Sequence, residues 1–284
     1  MNESHGIKPS YMDLSADPGV DFNRFVNGAW IDSAAIPPEY PCWGAFLMLR
    51  ERALENVHAL LKELAEATDA EPGSNAQKIG DLFFTAMNEE QIEAAGAGPI
   101  LPEIARINAT RTRNGLVDTI ARLHLDNVNV FFGFGAASDR DDSTRMIAHA
   151  AQGGLGLPDR DYYLSDDEKS VDLRAKYLAH VTRMFELLGE KPKMARKHAR
   201  IVMRIETALA EASMSKVELR DPKATNNKMS VDAFAALCPE LPMRRYFMKL
   251  GTPDFEVVNV MQPKFFQALS ALLAELTARD LKAY

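Results

Sequence analysis

Gly153-Gly-Leu-Gly-Leu-Pro-Asp-Arg-Asp-Tyr-Tyr-Leu164 sets glycines and a proline against two tyrosines and a run of charged side chains. Glycine reaches conformations closed to other residues and proline fixes its own φ, so this stretch reads as an ordered loop. Its flanks differ. Upstream, the Val- and Phe-rich run 128–137 and the apolar run 146–151 are separated by the polar turn 138–143, which reads as two strands joined in a hairpin. Downstream, Ser165 ahead of Asp166, Asp167 and Glu168 places an acceptor at a helix N-cap and acids in the first turn. Leu173, Tyr177, Val181, Met184 and Leu188 then recur at helical spacing until Gly189. Pro192 suits the first turn of the next helix, expected to run to about Met214, so these two helices form an antiparallel pair.

Outward from this block the pattern stays helical. Phe46, Leu49, Ala53, Val57, Leu60 and Leu64 recur every three or four positions and predict a helix over 46–64 with that face buried. Asn75 is placed to cap the next helix, which carries Ile79, Leu82, Phe83 and Ala86 before the breakers at 96–99. Shorter helices follow at 99–107 and 115–125. Past the turn-rich segment 220–230 come two short helices, an extended piece at 257–262, and a final helix with Phe265, Leu269, Leu272 and Leu276 on one face. The fold class is therefore mainly α: a multi-helix domain with one small β-hairpin.

Composition narrows the function. The 284 residues are 46% hydrophobic and 26% charged, which is globular and far from the composition of disordered chains. With 33 basic against 40 acidic side chains the net charge is −7, so a grip on nucleic-acid phosphates lacks its main driving force. No apolar stretch approaches the ~18 residues that span a bilayer. Residues 1–20 contain no apolar signal core, from which a cytoplasmic location is expected. The two cysteines, Cys42 and Cys238, are too few for a disulfide scaffold or a cysteine zinc site.

Catalytic chemistry is hard to place. Helical zinc hydrolases carry two histidines one turn apart with a glutamate beside the first. His5, His58, His124, His149, His180 and His198 offer no such pair. Gly133 and Gly135 fall inside a predicted strand, and Gly153, Gly154 and Gly156 lead into a proline loop, so neither set opens a helix as a phosphate cradle does. Cys42, in the turn Pro41-Cys42-Trp43-Gly44, has no evident base for a nucleophile. Lys191, Lys193, Arg196, Lys197, Arg200 and Arg204 read as a solvated helix face in preference to an anion strip. Asp139, Asp141 and Asp142 read as a hairpin turn, without the glycine and distal glutamate of a calcium loop.

Taken in order, a set of blocks resembles a known family. These are Asp21-Phe22-Asn-Arg-Phe-Val-Asn-Gly28-Ala-Trp30, Ile36-Pro37, Trp43-Gly44, Leu49-Arg50-Glu51, the loop with Gly156, Pro158, Asp159, Arg160, Asp161, Tyr162 and Tyr163, then Arg220-Asp221-Pro222, Asn227-Lys228-Met229 and Gln262-Pro263. Together they resemble the N-terminal region of the M13 (neprilysin-like) zinc metalloendopeptidases, in a bacterial type. The resemblance implies that residues 1–44 pack on a catalytic domain, that 45–255 form a helical cavity-closing domain, and that 256–284 begin a further helical segment. It also implies peptide hydrolysis by the complete enzyme at a zinc ion, small peptides as substrates, and a C-terminal peptidase half as partner. That half would carry HExxH, a further glutamate ligand and an Asn-Ala segment; none of these maps onto this sequence, so no catalytic or metal residue and no cofactor is assigned to it. The matched residues are read as structural or interdomain.

Departures from the family pattern are specific. Gly19 and Val26 stand where secreted relatives have cysteines, and Cys42 stands where the neprilysin branch has a carboxylate-binding arginine. Asn226 replaces a family tyrosine. The alternative reading is a stand-alone, catalytically inactive helical module that binds peptide or protein. On the first reading, residues 1 to about 40 and 264–284 are expected to be loosely held, whereas uniformly firm structure to the C-terminus favours the stand-alone module.

Both thiols are expected to be unpaired, because they fall in different predicted substructures and a disulfide needs α-carbons ~4.4 to 6.8 Å apart. Alkylation in denaturant without reductant should add two labels per chain. A mass showing one intramolecular disulfide would overturn this.

Overall fold

The computed structural model describes residues 8–67 and 69–284; residues 1–7, with His5 and the start of the stretch read for a signal sequence, and Thr68 lie outside the described residues. Two compact units divide the chain, one reaching Ala94 and one starting at Ala95.

The first unit carries α1 (Phe22–Ser33), α2 (Ala45–Glu66), α3 (Asn75–Met87) and the start of α4 (Glu89–Ala95). Asp21 caps α1 by accepting the Arg24 N–H at 2.8 Å. Ser74, one residue before the expected Asn75, caps α3 by accepting the Gln77 N–H at 3.2 Å. α2 and α3 pack as an antiparallel pair so close at Gly80 that a Cβ there would collide with the Leu64 carbonyl oxygen. The helix predicted over 46–64 is present, but its face is not covered. Phe46 is 90% exposed, Leu49 61% and Leu60 53%. Apolar periodicity specifies which face seeks cover and is silent on what supplies it.

In the second unit α5 (Leu101–Ala109) and α6 (Arg113–Leu125) lead to β1 (Phe132–Ser138) and β2 (Met146–Gln152). The first strand begins at Phe132, later than the apolar run suggests, because Asn127 and Phe131 hold φ values of 59° and 60° and interrupt extended backbone. The one-turn α7 (Asp161–Leu164), α8 (Glu168–Leu187) and α9 (Pro192–Ala212) follow. Asp167, not Ser165, caps α8 by accepting the Ser170 N–H at 3.0 Å, while the Ser165 hydroxyl donates to the same carboxylate. Then come β3 (Lys228–Ser230), α10 (Val231–Leu237), α11 (Met243–Leu250), β4 (Val257–Val260), α12 (Pro263–Glu275) and α13 (Ala278–Ala283).

The hairpin is part of a larger sheet of order β1-β2-β4-β3. β1 and β2 are antiparallel with Gly135 opposite His149, β4 runs parallel to β2 with Val258 beside Ala148, and β3 closes the edge antiparallel to β4. The extended piece at 257–262 supplies β4, a pairing across more than a hundred residues that local pattern does not encode.

Around this sheet lies an aromatic core. Phe132, Phe234, Tyr246, Phe265 and Phe266 are all buried, with Phe234 and Phe266 edge to face at 4.9 Å between ring centres. α12 is central to it: Phe265, Phe266 and Leu269 have no solvent exposure. The expectation of a loosely held C-terminal segment is therefore overturned. Tyr284 itself is tied in, its hydroxyl donating to the Gly154 carbonyl at 2.6 Å and accepting the Phe131 N–H at 3.1 Å.

Truncating Phe266 to Ala leaves a cavity among these rings and should cost about 3 to 5 kcal/mol in urea unfolding. Val217→Ala, at a side chain 75% exposed, should stay within about 0.5 kcal/mol of wild type. Equal midpoints for the two variants would contradict this placement of the core.

Candidate functional site

The loop 153–164 is organised by a residue outside it. Glu206 lies on the buried face of α9 and is 5% exposed. Its carboxylate accepts the Tyr163 hydroxyl from α7 at 2.8 Å and the Tyr177 hydroxyl from α8 at 3.0 Å. The Tyr163 oxygen in turn accepts the Leu157 N–H at 2.8 Å, fastening the loop to the same group. Gly156 lies so close that a Cβ would collide with the Tyr177 hydroxyl and stand 3.1 Å from Glu206 Oε1. Gly154, at φ 77°, occupies the left-handed region, where a Cβ would also come within 2.5 Å of the Tyr284 hydroxyl. Burial raises the Glu206 carboxyl above its ordinary value, opposed by the two tyrosine hydrogen bonds. Burial, and then the adjacent Glu206, pushes the Tyr177 hydroxyl well up.

Sequence reading missed Glu206. Its signal was there: an acid one turn beyond Val202, in register with Ile205 and Leu209 on an apolar face.

Elsewhere in the loop, Asp159 pairs with Lys216 at 2.6 Å, and that ammonium lies 5.8 Å above the Tyr162 ring. Asp159 also accepts the Asp161 N–H at 2.9 Å, starting α7. Arg174 of α8 donates to the carbonyls of Tyr162 and Ser165. Pro158 and Arg160 line a cleft of about 320 Å³.

The second group of matched residues folds against the β1–β2 turn. Lys228 reaches Asp139 at 2.7 Å and Asp141 at 2.6 Å, holding both carboxyls below their ordinary values. Pro222 accepts Arg140 at its carbonyl at 2.9 Å. Asp221 accepts the Lys223 N–H, and Arg220 is exposed at the end of a short turn. The Asn227 side chain donates to the carbonyls of Ala224 and Met261, and its N–H donates to Asn259 Oδ1 at 2.7 Å. Met229 packs on the main core. The acidic turn thus holds a lysine 89 residues downstream.

In the first unit, Arg24 bridges Asp32 at 2.8 and 2.5 Å and Asp13 at 3.0 Å. Gly28 is buried under that bridge, with no room for a Cβ against Asp13. Phe22 is 67% exposed and stacks on Phe25; Trp30 lies 6.2 Å from the Tyr11 ring. Trp43 packs on Tyr40, whose hydroxyl donates to Glu51. Gly44 is extended with open space around it, and Arg50 is exposed.

The described histidines are dispersed. His124 bonds Tyr246 at 2.6 Å and the Val130 carbonyl at 2.9 Å, His149 meets Asn259, His198 meets Glu190, and His58 packs near Phe83. Among the described residues no group of three His, Cys, Asp or Glu is placed to hold a metal ion, so zinc does not fit the side chains present and none is assigned to them. Cys42 is exposed; Cys238 is buried, which pushes its thiol up to about 11. Neither is paired. Lys193, Arg196, Lys197 and Arg200 lie exposed along α9, and Arg204 pairs with Asp280 at 3.0 Å. Among the described residues no helix is long and apolar enough to cross a membrane.

Residues 18–284 match the model of Peptidase family M13, in its N-terminal part. The chain belongs to this family and corresponds to that N-terminal region. It is 27% identical over 276 residues to endothelin-converting enzyme 1 of Homo sapiens, covering 93% of this chain and 35% of the relative. An endothelin-converting enzyme homolog of Locusta migratoria is 26% identical, with 94% and 38% covered. Among solved structures, the zinc metalloprotease ZMP1 of Mycobacterium tuberculosis in complex with inhibitor superposes with a TM-score of 0.85 at 30% identity, over 98% of this chain and 42% of that one. PEPO from Lactobacillus rhamnosis, at 21% identity and a TM-score of 0.73, shares the fold. The chain spans well under half the length of these proteins.

The raised carboxyl of Glu206 has a pH signature. The folded chain keeps this proton to higher pH than the unfolded chain, so its contribution to stability is complete below the ordinary value of 4.5 and is lost as pH rises through the folded value. Glu206→Gln removes the titration. The stability of wild type relative to that variant, from urea unfolding between about pH 4 and about pH 8, should fall with rising pH. A flat difference, or one that moves in the wild type's favour, would overturn the assignment.

Proposed function

We propose that this chain forms the non-catalytic part of the substrate cavity of an M13-type zinc metalloendopeptidase, with hydrolysis carried out by a C-terminal peptidase half. The observation that carries this reading is the family match over residues 18–284 combined with the absence, among the described residues, of any metal-holding cluster. Relatives more than twice as long, one of them a zinc metalloprotease, leave ample chain for a separate peptidase half. The role of this part is steric: a helical wall that admits short peptides and turns away folded proteins selects substrate without a reactive group of its own.

Residues 1–44 are proposed to pack on the peptidase half. Exposed Phe22, and Phe46 just beyond that segment, are available to such a contact, each offering an apolar side chain that a partner surface would cover. The bacterial type is favoured by the 30% identity to the Mycobacterium tuberculosis enzyme and by two unpaired cysteines.

The isolated chain should retain no stoichiometric zinc after dialysis and cleave no reporter peptide. Joined to an M13 peptidase half it should support cleavage of short peptides and leave folded proteins intact. One tightly held zinc per isolated chain, with cleavage abolished by a chelator, would sink the proposal.

A further inference from the structure

Arg160 stands at the meeting of two clefts. The one of about 320 Å³ already described and another of about 460 Å³ share Arg160, Ser213 and Met214 in their walls. Among the described residues Arg160 makes no direct ion pair, acting on Glu218 only through its charge, and its Nε–H is buried without an acceptor. The nearby acids are already engaged. Asp159 pairs with Lys216, and Glu218 accepts both the N–H and the hydroxyl of Ser215 at 2.7 Å.

The larger cleft holds a second unused donor. Gln262, 3% exposed, is the N-cap of the thirteen-residue α12 and lines this cleft. Its Oε1 accepts the Gln152 N–H at 2.8 Å, which fixes the orientation of the carboxamide, since the flipped form would set donor against donor. Its Nε2 is left buried with no acceptor. A buried donor without a partner costs free energy, and such groups in native proteins are usually satisfied by protein, water or ligand. The positive end of the α12 dipole lies at the same place, with Lys264 in the cleft wall.

We infer that this cleft is a carboxylate-binding site, with the Arg160 guanidinium and Gln262 Nε2 as its donors at the N-terminus of α12. A guanidinium presents paired N–H groups that match the two oxygens of a carboxylate. Arg160 and Lys264 against Glu218 leave the cleft with about one net positive charge, which suits a singly charged carboxylate better than a doubly charged phosphate. The assignment stands on the geometry of the second unit and is independent of the proposed peptidase role.

The test follows the Arg160 Nε–H and Gln262 side-chain NH₂ signals in NMR spectra of the labelled 284-residue chain during titration with sodium acetate at constant ionic strength. Both signals should move and saturate together, while acetamide and sodium chloride leave them in place. A Gly-Glu-Gly peptide blocked at both ends forms a second arm: saturation at lower concentration than acetate identifies an acid carried on a polypeptide, and equal or weaker binding identifies a free small acid. Arg160→Lys keeps the charge without the fork and should weaken acetate about tenfold, read at Gln262. Gln262→Glu keeps the bond from Gln152, removes the free donor and should abolish binding, read at Arg160. Urea midpoints like wild type establish that both variants are folded. Shifts that stay linear in acetate, that chloride reproduces, or that survive Arg160→Lys at unchanged affinity would overturn the site.

Discussion

The buried carboxylate of Glu206 is the constraint on which the second unit depends. A carboxyl group removed from water is costly unless its oxygens find partners, and here two tyrosine hydroxyls from separate helices bond to them. Meeting that requirement brings α7, α8 and α9 to one point. It also dictates the loop: Tyr163 must still accept the Leu157 N–H, and Gly156 must have no side chain where Tyr177 passes. Gly156 and Tyr163 in this loop are thus the imprint of an acid more than forty positions away.

The polar contacts at the other end of the sheet follow the same logic. The β1–β2 turn gathers Asp139 and Asp141, and Lys228 at the start of β3 supplies the opposite charge. Asn259, fully buried in β4, meets His149 and the backbone of Thr225 and Asn227. Asp139 and Asn259 are both matched by groups from the segment 220–230, which helps explain why a turn-rich stretch with little apolar content is nonetheless ordered.

Between the two units the division of labour differs. The second contains its own core of interlocking aromatic rings. In the first, the longest helix buries none of its residues, and Phe46, Leu49 and Leu82 remain in water. Apolar area of this kind is worth roughly 25 cal/mol per Å² once covered, so such a helix derives much of its stability from whatever lies against it. That is the physical ground on which a partner surface is proposed for the first unit.

Local pattern was enough for the mainly helical class, the helix from Pro192, the helix over 46–64 and the hairpin, because caps, breakers and 3.6-residue periodicity act within a few residues of one another. Motif order was enough for the family. Strand pairing across the chain was not legible, since β4 as an isolated stretch is only an extended segment, and its parallel place beside Ala148 depends on everything between them. Nor was the role of α12, whose apolar face was readable but whose position at the centre of the core was not. Glu206 shows the same limit at a single residue: the sequence by itself determined an acid on an apolar helix face, and only the tertiary structure decided that two hydroxyls would meet it. Hydrogen bonds and ion pairs act between groups close in space, and the sequence orders groups only along the chain.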